Sequence, residues 1–172
     1  KILKKDISPS KRQMRYSMQK AIRSLLDAII ELITNSDDSY ERLNNFIKQY
    51  VGDIKIDYQK GNQKNKSILT IRDKAEGMSA QKLDKVLREH GNEIKSGGAS
   101  RGYFGRGLID CHSIGDLTIY SVDKGDPKKC IITKLEHRSQ KYDEPQCVDF
   151  NQKLRQETGI RKHGTYIKLE IP

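Results

Sequence analysis

Three polar side chains recur along one stretch of the chain at intervals that suit a helix. Glu31, Asn35 and Asp38 stand at positions i, i+4 and i+7, so in a helix they share one face. From that face a Glu31 carboxylate could activate water, and an Asn35 carboxamide could ligate Mg²⁺, which prefers oxygen ligands. Taken alone, the same pattern also fits an ordinary solvated helix face.

A carboxylate and a glycine follow a strand-like run at residues 67–72. The sequence there is Asp73-Lys-Ala-Glu-Gly77-Met78. A carboxylate at a strand end can accept a hydrogen bond from an exocyclic amine, and Gly77 allows a flat ring to approach the backbone closely. The alternative interpretation is a simple turn between a strand and a helix.

A glycine-rich stretch covers residues 91–107 and ends in Gly102-Tyr-Phe-Gly105-Arg106-Gly107. Its glycines would let successive backbone N–H groups converge on phosphate oxygens, and Lys95 could add a positive charge. The pattern is neither a P-loop nor the dinucleotide-binding Gly-x-Gly-x-x-Gly, and a flexible loop is the alternative.

The elements that must position these residues can be predicted from hydrophobic periodicity. Apolar residues at helical spacing over 22–33 predict an amphipathic helix that extends to about Leu43. A second helix is expected after Ser79, a suitable N-cap. Strands are expected at 53–58, 67–72, 117–122, 130–135 and 165–171, the first two as a hairpin. The last strand opens with Gly164-Thr165, whose hydroxyl could bind a base or a water beside Asp73.

The predicted fold class is a two-layer α/β sandwich, with helices on one face of a mixed, mainly antiparallel sheet. The four motifs, in this order, resemble those of the GHKL (Bergerat-fold) ATPase superfamily over about residues 20–171. Within the superfamily the chain is similar to the hydrolase branch that includes ninety-kilodalton heat-shock chaperones, MORC proteins and MutL. Glu31 has the position of that branch's acidic residue, and all four histidines lie downstream of the first motif, unlike the phosphoacceptor of a histidine kinase.

The resemblance implies ATP and Mg²⁺ as ligands, and it implies a role for each site residue. Glu31 would be the general base, Asn35 the magnesium ligand and Asp73 the acceptor for the adenine amino group. The remaining residues would complete the adenine pocket (Asp38, Gly77, Met78, Thr165) or surround the phosphates (Lys95, Gly102, Gly105, Arg106, Gly107). The second motif departs from many members by carrying Ala75-Glu76.

The implied function is an ATP-hydrolysing conformational switch in which ATP orders the glycine-rich lid, with slow turnover in isolation. An ATP-dependent homodimer is left open. One alternative is a regulatory module that binds nucleotide without turnover. The other is a basic nucleic-acid-binding protein with a vestigial pocket, because a net charge of +10 suits a polyanionic partner.

Composition predicts a single soluble domain. Of the 172 residues 33% are charged, and no apolar run approaches the ~20 residues needed to cross a bilayer. Cys111, Cys130 and Cys147 form no Cys-x-x-Cys pair, which argues against a disulfide framework and favours a cytoplasmic location. Because the chain starts at Lys1 and its last strand runs almost to Pro172, we expect a piece of a longer protein.

Overall fold

Eight strands form one sheet in the described part of the chain. The computed structural model describes residues 3–6, 24–44, 52–88, 106–139 and 141–172. The strands are β1 (Lys4–Asp6), β2 (Lys55–Gln59), β3 (Ser67–Arg72), β4 (Asp116–Val122), β5 (Lys129–Leu135), β6 (Lys141–Asp143), β7 (Gln146–Asp149) and β8 (Gly164–Ile171). Their order is β1-β6-β5-β4-β8-β3-β2, and β7 pairs with β5. All pairings among these strands are antiparallel, and helices pack against the sheet through a shared core, so the predicted α/β sandwich is confirmed.

The first helix, α1 (Leu25–Asn44), confirms the strongest prediction from periodicity. It begins at Leu25 because Ser24 caps it. The Ser24 hydroxyl accepts from the Asp27 N–H at 3.1 Å, and the Asp27 carboxylate accepts from the Ser24 N–H at 3.1 Å. This reciprocal pair satisfies donors that a helix N-terminus otherwise leaves without partners.

The buried face of α1 only partly matches the predicted apolar stripe. Ala28 and Leu32 are fully buried, whereas Leu26 is 64% and Ile30 is 53% exposed. The reason is that the buried residues Ala28, Leu32, Ser36, Ser39 and Leu43 form one stripe, which includes two serines and lies beside the predicted apolar stripe. Burying this stripe turns part of the predicted apolar stripe away from the sheet.

Two further helices join α1 in one layer over the sheet. These are α2 (Ala80–Arg88) and the short α3 (Arg106–Asp110), which continues into a single 3₁₀ turn. The Ser79 hydroxyl accepts from the Lys82 N–H at 3.2 Å, as expected of an N-cap. The shared core combines residues from all three helices and from five strands: Ala28, Leu32, Leu83, Leu87, Leu108, Ile109, Leu69, Ile71, Leu117, Ile119, Ile131, Leu135, Tyr142, Ile167 and Leu169.

Helices were predicted on one face of the sheet, but among the described helices one packs on the other face. This is α4 (Gln152–Thr158), which was not predicted, and its Leu154 packs against a second cluster that includes Val122 and Cys130. On β4, Ile119 belongs to the main core and Tyr120 to this second cluster. Because consecutive strand residues point to opposite faces, α4 lies across the sheet from α1.

Two expectations from composition can be compared with the structure. No helix within the described ranges is long and apolar enough to cross a membrane. Cys111 and Cys130 are buried and Cys147 is exposed, and all three are free thiols.

Candidate functional site

A cavity lies between the helical layer and the sheet, where the first, second and fourth motifs meet. It is lined by residues of α1, the loop after β3, α2, α3 and β8: Asn35, Ser36, Ser39, Asp73, Met78, Val86, Leu108, Thr165 and Ile167. Four of these residues, from three of the motifs, were predicted as site residues from the sequence.

Asp73 is a buried carboxylate held in a fixed orientation at the wall of this cavity. It is only 4% exposed. Its Oδ1 accepts from the backbone N–H groups of Ala75 and Thr165, both at 3.0 Å, and its Oδ2 accepts from the Ser36 hydroxyl at 3.0 Å. Burial raises the pKa of Asp73, while these hydrogen bonds and the nearby His163 oppose the rise. The result is a poorly hydrated acceptor beside the cavity.

The loop that follows Asp73 depends on a glycine at position 77. Gly77 has a φ of 67°, and a Cβ there would overlap the carbonyl oxygen of Val122 on β4. The next residue, Met78, donates its N–H to the Ser121 hydroxyl at 2.8 Å. Gly77 therefore allows the loop to lie directly on the end of β4 while Met78 lines the cavity.

The fourth motif is bonded to the second. The Asp73 N–H donates to the Thr165 carbonyl at 2.9 Å, in addition to the Thr165 N–H that binds the Asp73 side chain. The Thr165 hydroxyl lies 3.5 Å from the Ser121 hydroxyl. Gly164 has a φ of 135°, and a Cβ there would overlap the backbone of Asp73. This close approach brings Thr165 beside Asp73, as predicted.

Asn35 carries a polar atom that the described residues leave without a partner. The side chain lines the cavity, and its Nδ2 is buried without a hydrogen bond. A buried donor without an acceptor costs about 1–3 kcal/mol. A ligand oxygen in the cavity would remove that cost, so the Asn35 carboxamide is set up to bind something polar.

Glu31 lies one helical turn before Asn35, against the start of α3. A Cβ on Gly107 would overlap Oε2 of Glu31, and the neighbour of Gly107, Leu108, lines the cavity. Partial burial raises the pKa of the Glu31 carboxyl, and the negative charges of Asp110 and Asp27 raise it further. A carboxylate with a raised pKa is a stronger base than an ordinary glutamate.

The other predicted site residues are placed as follows. Asp38 is half-buried on α1 and is not among the described residues that line the cavity. Gly107 touches Glu31. Lys95, Gly102, Gly105 and the side chain of Arg106 lie outside the described residues. The assignment of those four residues to the phosphates stays a prediction.

Two serines of the site were missed from the sequence. Ser36 is 2% exposed and binds Asp73, and Ser39 is 8% exposed and lines the cavity. Ser39 follows Asn35 by four residues, which in a helix means the same face. The signal in the sequence was a pair of small polar residues close to Asn35. The site was instead assigned to Glu31 and Asp38, which have longer side chains.

Comparison with known proteins places most of the chain in one family. Residues 23–165 match the family model described as histidine kinase-, DNA gyrase B-, and HSP90-like ATPase. The match spans the helix with Glu31, the Asp73 loop and the start of β8. The chain therefore belongs to this family of ATPases, and ATP binding follows from the family. No curated protein showed significant sequence similarity to the chain.

Proposed function

We propose that this domain binds Mg-ATP in the cavity, with the adenine on Asp73, and hydrolyses it with Glu31 as general base. The observation that carries the proposal is the Asp73 carboxylate, which is buried at the cavity wall and oriented by Ser36, Ala75 and Thr165. That arrangement supports an adenine site because it offers a fixed, desolvated acceptor.

The hydrogen bonds to Asp73 leave capacity for a ligand. A carboxylate oxygen can accept two hydrogen bonds, and Oδ1 already accepts two, whereas Oδ2 accepts one from Ser36. The remaining position on Oδ2 suits the exocyclic amino group of adenine. Met78, Val86 and Ile167 supply apolar wall around it, as a flat base requires.

The catalytic end of the proposed site lies further along α1. Asn35 and Glu31 are four residues apart, which is about 6 Å along a helix. Glu31 would orient water for attack on the γ-phosphorus and accept its proton, and its raised pKa suits that role. Gly107, packed on Glu31, leaves room for the carboxylate where a larger residue would not.

Asn35 fits a place in the magnesium-phosphate region. Its partnerless Nδ2 would donate to a phosphate oxygen as placed, and a turn of the amide would instead present Oδ1 to Mg²⁺. No group of three or more acidic, histidine or cysteine side chains in the described part is placed to hold a metal ion by itself. When bound, Mg²⁺ neutralises phosphate charge.

The switch part of the proposal rests on the sequence of the glycine-rich lid. Lys95, Gly102, Gly105, Arg106 and Gly107 would surround the phosphates, so nucleotide binding would order the lid and change how the domain meets a second copy or a neighbour. Supporting this, Gly107 lies beside Glu31 at the point where the lid leads into α3.

Basic residues around α4 favour nucleic acid as the second candidate function. Lys153, Arg161 and Lys162 are exposed, and α4 lies across the sheet from the cavity. A polyanion bound on α4 would lie on the opposite face of the sheet from the cavity. Binding to DNA that weakens with increasing salt and does not change when ATP is added would support this second function.

The test of the proposed function separates binding from turnover. Glu31→Ala should leave Mg-ATP affinity close to that of the unaltered protein and lower hydrolysis by ~10² to 10⁴. Glu41→Ala, on an exposed position of the same helix, is the matched control and should change neither. If affinity and hydrolysis fell together in Glu31→Ala, Glu31 would be a binding residue. Binding without any turnover in the unaltered protein would make the domain a regulatory module.

A further inference from the structure

The loop after Asp73 carries a second buried carboxylate, on Glu76. Its Oε1 accepts from Arg42 Nε at 2.7 Å and from Lys82 Nζ at 2.8 Å. Arg42 belongs to α1 and Lys82 to α2, so one carboxylate oxygen joins both helices to the loop. We refer to Glu76, Arg42 and Lys82 as the ion triad.

The ion triad is adjacent in sequence to the cavity wall on all three elements. Arg42 is three residues after Ser39, which is about one helical turn. Lys82 is four residues before Val86, again about one turn, and Glu76 is two residues before Met78. Ser39, Val86 and Met78 all line the cavity. The triad therefore links the three segments that flank the proposed adenine end of the cavity.

The bonding around Glu76 fixes the residue firmly. The side chain is 11% exposed. Burial alone would raise its pKa, but the hydrogen bonds from Lys82 and Arg42 outweigh burial and hold the pKa of Glu76 below its usual range. Its carbonyl also accepts from the Lys124 N–H at 2.9 Å, which ties the same residue to the turn after β4. Loss of the Glu76 charge would remove the anionic acceptor that Arg42 and Lys82 share.

We propose that Glu76 is a positioning residue. It sets the spacing of α1 and α2 at the adenine end of the cavity, and thereby the affinity for adenine-containing ligands. This inference rests on the proposed function. Because the triad lies away from Glu31 along α1, it should act on binding of the base and leave the chemistry at the phosphates nearly unchanged.

The test uses Glu76→Gln, which keeps the size of the side chain and removes its charge. Losing a charge-assisted contact should raise KM for ATP and the Kd for adenosine by about tenfold, with kcat within about twofold. Binding of inorganic triphosphate, which has no base, should not change. Glu41→Gln on the exposed face of α1 is the control for charge removal.

Lys82→Met is a second variant that breaks only one of the two links, in case Glu76→Gln fails to fold. It should weaken adenosine binding by a smaller factor than Glu76→Gln does. In the double variant the Kd for adenosine should rise by less than the product of the two single-variant factors. Unchanged adenosine affinity in both variants would overturn the inference while leaving the proposed function intact. A fall in kcat equal to the rise in KM would also overturn it, because the triad would then act on the whole site. No ATP binding by the unaltered protein would instead sink the proposed function.

Discussion

The Glu31 carboxylate packs directly against the α-carbon of Gly107, so that a side chain at position 107 would occupy the space of Oε2. This contact joins the helix that carries the proposed base to the segment that follows the glycine-rich lid. Glycine at position 107 leaves the space that the Glu31 side chain fills, since the nearest atoms to a Cβ there belong to Glu31 itself.

Gly107→Ala should displace Glu31 without unfolding the domain. The overlapping atoms are at the end of a flexible side chain, so they can move where backbone could not. Misplacing a general base by about 1 Å can cost about 10² in rate. We expect ATP affinity close to normal and hydrolysis lowered by up to about that factor, measured by calorimetry and phosphate release. Normal turnover in Gly107→Ala would separate Glu31 from the chemistry.

Asp110→Asn should move the acid limb of the hydrolysis profile to lower pH. Partial burial is the main cause of the raised Glu31 pKa, and the Asp110 charge is the next. Glu31 must be deprotonated to accept a proton from water, so activity should rise with pH through the Glu31 pKa. Removing one neighbouring negative charge lowers that pKa. The comparison is kcat against pH for Asp110→Asn and for the exposed Asp37→Asn, which should behave as the unaltered protein. An acid limb at the same pH in Asp110→Asn as in the unaltered protein would contradict the assignment of Glu31 as the general base.

Ser36→Ala should destabilise the domain by about 1–3 kcal/mol, because the buried Asp73 carboxylate loses a donor. The effect should depend on pH. Burial raises the pKa of Asp73, so the folded state binds that proton more tightly than the unfolded state, and the stability from this group falls as pH rises from the unfolded toward the folded pKa. Ser36 opposes the rise, so its loss should steepen the fall. Denaturant unfolding at several pH values measures this, with Ser39→Ala as the control on the same cavity. Equal effects of the two variants would contradict it.

Gly77→Ala should be more harmful than an ordinary loop substitution. Its φ of 67° disfavours a side chain, and a Cβ would overlap the backbone of Val122, which cannot move aside cheaply. We expect roughly 1–3 kcal/mol of lost stability and weaker ATP binding, because Met78 must shift. Gly125→Ala is the matched control, since its nearest atom would be Asp123 Oδ1 at 3.4 Å. Equal melting temperatures for the two variants would count against this role for Gly77.

Much of the fold could be predicted from the sequence because its main elements have strong patterns. Strand β8 alternates residues on two faces, and α1 repeats apolar residues at helical spacing. The strands β1 and β6 have three residues each, too few to show alternation, and both were missed. The helix α4 was missed because it presents a single large apolar residue, Leu154, in seven.

The site was predictable where its residues belong to short motifs that occur in a fixed order. Asp73 and Gly77 alone would also fit a simple turn, but with the other three motifs they resemble the family's site, and the structure brings Asp73 and Thr165 together. Ser36 and the ion triad were not predictable, because their partners are 37 positions away for Ser36 and 34 for Arg42 with Glu76. Only the folded chain brings such residues together.

The most direct measurement of the central claim is a calorimetric titration of ATP into the unaltered domain and into Asp73→Asn. The amide can present an N–H toward the adenine amino group, and the mismatch leaves a desolvated polar contact worth about 1–3 kcal/mol. Asp57→Asn, at an exposed position of β2, is the control and should bind as the unaltered domain does. We predict clear binding by the unaltered domain and binding weakened by about 5- to 150-fold in a folded Asp73→Asn. An unchanged ATP affinity in that variant would contradict the adenine site.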